Sequence, residues 1–312
     1  MGALDDNVVV VTGGGRGIGR AVARLAAAEG AAVVIVDNGC EVDGTGENPR
    51  VAAAVAEEIV AAGGKAEALA VDVSTMAGAQ EVADRVLGIH QRIDGLVCAA
   101  GIRRDAPFAR MAEADWDAVI DGNLKATFTM VRQATAVMRG QGSGHVVLLT
   151  SDLGLGSVGA ANYAASTEGL IGMNRTVARD VGRTGVTCNA VSPLARTRMF
   201  AGGSEELRPT AGIRSADAVA GIARFAPTAR WDGEIAPDDP SNVAPLVCFL
   251  MTPAADNVNG ALFGVRGGDI YLYAEPAVER QIFTYGGRFT LDQLDELMPR
   301  TLAFGVDAPI FG

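Results

Sequence analysis

Val8-Val9-Val10-Val11-Thr12-Gly13-Gly14-Gly15-Arg16-Gly17-Ile18-Gly19 is the stretch on which the fold turns. A β-branched run stops at Thr12, five glycines crowd the next seven positions, and the Ala-rich Arg20-Ala21-Val22-Ala23 follows with helical character. A turn this tight, feeding a helix N-terminus, needs residues without a Cβ so that backbone amides can reach a diphosphate. Glycine-rich segments also make plain turns. Here strand, turn and helix come in the order of a dinucleotide site. Gly13, Arg16, Gly17, Ile18 and Gly19 are therefore the first candidate cofactor ligands.

Outward from that stretch, apolar runs at 8–11, 33–36, 69–71, 95–98, 146–150, 186–191 and 262–265 alternate with Ala-rich helical segments. Strands that alternate with helices predict a parallel sheet, and near-continuous apolar strands predict helices on both of its faces. The expected fold is α/β: a doubly wound Rossmann fold with a seven-stranded parallel sheet. We place one dinucleotide-binding and catalytic domain at 1–268 and a C-terminal extension at 269–312. Residues 38–49, rich in Gly and acids, read as a loop inserted after the second strand. Residues 194–240 carry Gly202-Gly203, Pro209, Pro227, Trp231, Pro237 and Pro240. That length fits either a lid over a ligand site or a surface elaboration at a subunit contact. In the extension, Thr290 and Gln293 form a capping-box pattern ahead of Leu291, Leu294, Leu297 and Met298, which predicts a docked amphipathic helix on its own subunit or a neighbour.

Composition narrows the ligands. A net charge of -11 over 312 residues repels nucleic-acid phosphates and anionic lipid, so neither nucleic acid nor a membrane is an expected partner. The N-terminus shows no export or myristoylation signal and no apolar run approaches membrane-spanning length. Cys40, Cys98, Cys188 and Cys248 are scattered, as are His90 and His145, so no metal site is expected. A reducing, cytoplasmic setting fits this cysteine usage. Asp37 closes the second strand eighteen residues beyond Gly19. A carboxylate there can accept from the adenosine ribose hydroxyls and repel an added phosphate, so NAD is expected over NADP. Arg16 argues the other way, because a guanidinium near the loop can pair with that phosphate.

The order Thr-Gly-x-x-x-Gly-x-Gly, then Asp72-Val73, then Ala99-Ala100-Gly101 resembles the short-chain dehydrogenase/reductase family over roughly residues 7–266. The resemblance implies that Asp72 and Val73 flank the adenine, that Ala99, Ala100 and Gly101 line the cofactor cleft, and that Thr197 lies near the nicotinamide or pyrophosphate. Cys98 stands where the family usually has Asn. The family's catalytic set of Asn, Ser, Tyr and Lys maps onto Asn123, Ser151, Tyr163 and, in place of the lysine, Thr167. Ser151 and Tyr163 are one residue closer than the usual pattern, which leaves Thr150 as an alternative for the serine; Gly154, three residues after Ser151, favours Ser151.

The substitution at 167 matters physically. A tyrosine with its ordinary pKa near 10 is a weak base at neutral pH, and a nearby ammonium favours the phenolate. Threonine supplies no charge, and impaired proton transfer costs about 10² to 10⁴ in rate. Lys125 is the nearest other lysine but lies two residues from Asn123 on a helix.

Asp37-Asn38-Gly39, the run from Gly101 to Phe108, Asp115-Trp116-Asp117, Pro193 to Met199 and Val243 to Val247 are similar to the (3R)-hydroxyacyl-CoA dehydrogenase domains of multifunctional β-oxidation enzymes and their bacterial relatives. That branch implies 3-hydroxyacyl and 3-oxoacyl thioesters as substrates. Arg103, Arg104 and Arg198 either attract CoA phosphates or are plain surface residues. Two functions follow as expectations. One is an NAD-dependent oxidoreductase interconverting a secondary alcohol and a ketone. The alternative is a catalytically impaired subunit supporting an active partner. The chain is expected to form a homo- or hetero-oligomer, a dimer or tetramer.

Overall fold

The computed structural model describes residues 2–200 and 235–305. Four valines and Thr12 form β1 (Val8–Thr12), and the glycine turn releases the chain into α1 (Gly17–Ala28). Then come β2 (Ala32–Val36), α2 (Arg50–Ala61), β3 (Lys65–Leu69), α3 (Met76–His90) and β4 (Gly95–Cys98). Next, α4 (Glu113–Val119) runs through a π-helical turn, Ile120–Lys125, into α5 (Ala126–Gln141). The remaining elements are β5 (Gly144–Leu149), α6 (Ala161–Val181), β6 (Val186–Leu194), α7 (Ala244–Phe249), β7 (Leu262–Arg266), β8 (Asp269–Leu272) and α8 (Leu291–Leu297).

The sheet order is β3-β2-β1-β4-β5-β6-β7-β8, with the first seven strands parallel and β8 antiparallel to β7. Order reverses between β1 and β4, which opens a crevice at the strand ends where such sheets bind ligands. Alternate residues of each strand serve opposite cores. Val9, Val11, Val33, Ile35 and Val97 pack with α1, α2 and α7, whereas Val8, Val10, Val34, Leu96 and Cys98 pack with α3, α5 and α6. Both faces are covered, as the unbroken apolar strands predicted.

Three details differ from the sequence reading. An eighth strand, β8, joins the sheet from residues assigned to the extension. The third strand starts earlier than the apolar run 69–71, because β3 is an edge strand whose Lys65 and Glu67 alternate with Ala66 and Ala68. Thr290 and Gln293 do form a capping box on α8, yet that helix buries no residue within this chain. Residues 38–49 form the expected loop, closed by Glu41 N to Thr45 O at 2.8 Å and Asn48 N to Asn38 O at 2.8 Å. The expected lid at 194–240 falls partly within the described residues, but Gly202-Gly203, Pro209, Pro227 and Trp231 lie outside them.

Candidate active site

The glycine turn is shaped by close approach. Gly13 adopts φ +64°, donates to Val36 O at 2.8 Å, and lies so near β4 that a Cβ would meet the backbone of Ala99 and Ala100 at 2.6 Å. A Cβ on Gly19 would collide with the carbonyl of Gly13. Gly17, at φ +50°, faces the Thr197 side chain. Only a backbone stripped of side chains makes this cradle, which lines the crevice at the N-terminus of α1. Asp37 sits at its rim, with Oδ2 accepting from Gly15 N at 2.9 Å and Oδ1 from Gly39 N at 2.7 Å. Each oxygen keeps a second lone pair for a ribose hydroxyl. Arg16 and Arg198 both donate to Cys40 O at 2.9 Å, so each guanidinium holds the inserted loop.

One cleft of about 610 Å³ runs from this cradle past Asp72, Val73 and Gly101 to Asn123, Ser151 and Tyr163. All the cofactor and catalytic candidates named from the sequence line it, together with Arg104, Thr150, Pro193 and Arg198. The glycine cradle and the residues lining this cleft fit a nicotinamide dinucleotide. Asp72 is held by Ser74, whose amide and hydroxyl both reach it at 2.9 Å. Val73 O accepts from Thr129 Oγ1 at 2.5 Å. Cys98 is buried and its thiol hydrogen-bonds Thr12, so this pair links β4 to β1.

At the far end, β5 delivers Thr150 and Ser151. The structure separates their hydroxyls: Thr150 Oγ1 donates to Thr167 O at 2.8 Å, while Ser151 hydrogen-bonds Tyr163 and accepts from Leu153 N at 3.2 Å. Burial pushes the Tyr163 phenol above its ordinary pKa, against the lowering effects of the Arg103 charge and the Ser151 hydrogen bond; Asp105 adds to the rise. Thr167 Oγ1 turns back on its own helix, to Tyr163 O at 2.9 Å and Ala164 O at 3.2 Å. Lys125 points elsewhere, to Asp121 at 3.0 Å on the surface.

Asn123 lies in the π-helical turn, which swings its side chain toward β4. Its Oδ1 accepts from Ile102 N at 2.7 Å and its Nδ2 donates to Ile102 O at 3.1 Å and Ser166 Oγ at 3.2 Å. The side-chain amide is therefore committed to fixing the loop after β4, and the backbone carbonyl of Asn123 accepts from Thr127 Oγ1 at 2.8 Å. Two further positions were not singled out from the sequence. Asn162 is fully buried and donates to Arg104 O at 2.8 Å and Asp115 O at 3.1 Å while accepting from Tyr163 N at 2.8 Å. Asp152 accepts from Tyr273 Oη at 2.6 Å and from Ser192 Oγ, tying the turn after Ser151 to β6 and to the end of β8. Adjacency to Tyr163 and Ser151 was the available signal in each case. Among the described residues, no group of three or more His, Cys, Asp or Glu could hold a metal ion, and no helix is long and apolar enough to cross a membrane.

The profile of the short chain dehydrogenase family matches residues 7–206. The chain is a member of that family. Hydroxyacyl-CoA dehydrogenase ChsB1 of Mycobacterium tuberculosis is 37% identical to it over 292 residues, covering 91% of this chain and 84% of that one. Mouse (3R)-3-hydroxyacyl-CoA dehydrogenase is 34% identical over 271 residues, covering 85% and 96%. The crystal structure of a short chain dehydrogenase from Mycobacterium avium superposes with a TM-score of 0.79 at 33% identity, covering 99% and 98%. The expected family membership and the expected likeness to hydroxyacyl-CoA dehydrogenases are both borne out.

Proposed function

We propose that this short-chain dehydrogenase interconverts 3-hydroxyacyl and 3-oxoacyl thioesters with NAD. The observation that carries the reading is the hydrogen-bonded Ser151–Tyr163 pair in the same cleft as the glycine cradle. The names of the relatives support the substrate class, and Asp37 supports NAD over NADP. Gly13, Gly17 and Gly19 would receive the pyrophosphate, Asp37 the adenosine ribose, and Asp72 and Val73 the adenine. A bound nicotinamide supplies the hydride acceptor or donor.

The chain's own residues handle the oxygen. Ser151 offers a hydroxyl to the substrate oxygen, and Tyr163 exchanges a proton with it. Burial keeps the phenol protonated at neutral pH, so the proton donor for ketone reduction is in place there. Alcohol oxidation needs the deprotonated form and therefore speeds up as pH rises. Asn123 and Asn162 hold the loop after β4 against α6, which fixes Tyr163 relative to Ser151. Arg104 and Arg198 line the cleft, and they and Arg103 are each paired with a carboxylate: Arg103 with Asp105 at 2.6 Å, Arg104 with Asp115 at 3.3 Å and Arg198 with Glu41 at 3.5 Å. That pairing weakens any long-range pull on CoA phosphates.

The test is NADH formation by the purified chain on a panel of 3-hydroxyacyl-CoA substrates, with Tyr163→Phe as control. Turnover that Tyr163→Phe removes supports the reading. A second reading rests on Thr167, whose hydroxyl serves only its own helix: a weakly active subunit that completes an oligomer with an active relative. It predicts NAD binding without turnover by the chain alone, and turnover only when a partner is copurified.

A further inference from the structure

The turn that carries Ser151 is fastened from outside the cleft. Ser151 caps it, its Oγ accepting from Leu153 N at 3.2 Å and its carbonyl from Gly154 N at 3.0 Å. The next residue, Asp152, uses a single oxygen, Oδ1, to accept two hydroxyls, Tyr273 Oη at 2.6 Å and Ser192 Oγ. Ser192 is buried in β6 directly before Pro193, which lines the cleft. Tyr273 follows β8, and its amide donates to Leu262 O at 2.9 Å, carrying the pairing with β7 one residue further. Its ring packs against the core shared with α5 and α6 and lies 5.4 Å, centre to centre, from the Tyr271 ring. Tyr271 in turn lies over Gly264, its partner in β7, where a Cβ would overlap the ring. Strand pairing, core packing and a neighbouring ring therefore set the place of the Tyr273 hydroxyl.

We propose that Tyr273 is a positioning residue for Ser151: through Asp152 it fixes the turn that presents the Ser151 hydroxyl to the cleft, so the segment after residue 268 completes the catalytic machinery of its own chain. The proposal rests on the reading of Ser151 as the group that meets the substrate oxygen. A hydroxyl donating to a carboxylate at this length makes one of the stronger protein hydrogen bonds. Both donors converge on one oxygen, so Asp152 cannot swing without breaking both. A displacement of about 1 Å in such a turn misplaces the adjoining catalytic hydroxyl, which can cost about a hundredfold in rate. Tyr273 itself does not line the cleft, so its effect on the chemistry passes through Asp152.

The experiment compares Tyr273→Phe, Asp152→Ala and Asp152→Asn with the wild type by two readouts. One is amide hydrogen exchange at Leu153, whose N–H donates to Ser151 Oγ and so reports the place of that hydroxyl without any turnover. The other is NADH formation from a 3-hydroxyacyl-CoA, split into kcat and KM, with NAD affinity measured by calorimetry. Tyr273→Phe removes one oxygen and keeps the packed ring, so the fold is retained. Exchange at Leu153 should quicken about tenfold and kcat should fall about tenfold to a hundredfold, while KM and NAD affinity stay within about twofold. Asp152→Ala should reproduce both changes, and Asp152→Asn, which keeps an acceptor for the two hydroxyls, should restore most of what Asp152→Ala loses. In a Ser151→Ala background Tyr273→Phe should cost nothing further, because the hydroxyl it positions is gone. Wild-type exchange at Leu153 or a wild-type kcat in Tyr273→Phe overturns the proposal, as does a loss repeated in full on the Ser151→Ala background. Absence of turnover in the wild type instead overturns the dehydrogenase reading, and exchange at Leu153 then still judges whether Tyr273 holds the serine turn.

Discussion

Replacing Gly13 with alanine puts the cofactor cradle under direct load. Gly13 sits at φ +64°, where an L-residue is disfavoured by about 1–2 kcal/mol. The new methyl would lie 2.6 Å from Ala100 N and from Ala99 C and O. These are backbone atoms of the loop that leaves a central strand, so no side-chain rotation relieves the overlap, and forced repacking adds about 1–3 kcal/mol. The expected loss is about 2–5 kcal/mol, a large fraction of the about 5–15 kcal/mol that holds a domain together. Gly17→Ala provides the contrast. Its φ is +50°, but the nearest atom to a Cβ is the Thr197 methyl at 3.3 Å, so backbone strain of about 1–2 kcal/mol dominates. Denaturant unfolding should show a lower midpoint with an unchanged slope for both variants, and clearly the lower for Gly13→Ala. Calorimetric titration should show NAD affinity falling about tenfold or more in Gly13→Ala, because a displaced turn misdirects one or more amides to the diphosphate. A Gly13→Ala protein with wild-type midpoint and wild-type NAD affinity would refute the close-approach argument.

Three more outcomes follow from the site. Asn123→Ala removes both hydrogen bonds to Ile102 and strands a buried amide and carbonyl, so stability should drop by about 2–4 kcal/mol in denaturant unfolding. Tyr273→Phe deletes the 2.6 Å hydrogen bond to Asp152 and should cost about 1–2 kcal/mol while lowering kcat more than it weakens NAD binding, as separate calorimetry and steady-state kinetics would show. The raised Tyr163 pKa gives the pH dependence a sign: oxidation should climb as pH rises toward that pKa and reduction should decline through it, and a profile sloping the opposite way contradicts the assignment.

The parts of the molecule readable in the sequence are those with local causes. Val8 to Val11 followed by glycines can only be strand, turn and helix in that order, and Asp37 is found where the second strand ends against the turn. Thr167, four residues after Tyr163, was equally plain as a residue without charge. Elements governed by distant contacts were not. The edge position of β3 makes it half polar and hides its start, and β8 is four residues long with alternating Ile270 and Leu272 exposed. The choice between Thr150 and Ser151 depends on which hydroxyl meets the Thr167 carbonyl and which the Tyr163 side chain, both on α6, a matter that the sequence spacing left open. Asp152 meets Tyr273 across 121 residues, and the segment after β4 meets the residues before Tyr163 where Asn162 binds Arg104 O and Gly159 O accepts from Ala106 N.

The central claim is that a dinucleotide on the glycine cradle and a proton carrier at Tyr163 act on one bound thioester. Single-turnover mixing of the wild-type protein, NAD and a 3-hydroxyacyl-CoA, followed by NADH absorbance, tests it most directly. The wild type should give one burst of NADH, faster at higher pH, and Tyr163→Phe none although that variant binds NAD normally. A burst of equal rate in Tyr163→Phe, or none in the wild type at any pH while NAD binds, would contradict it.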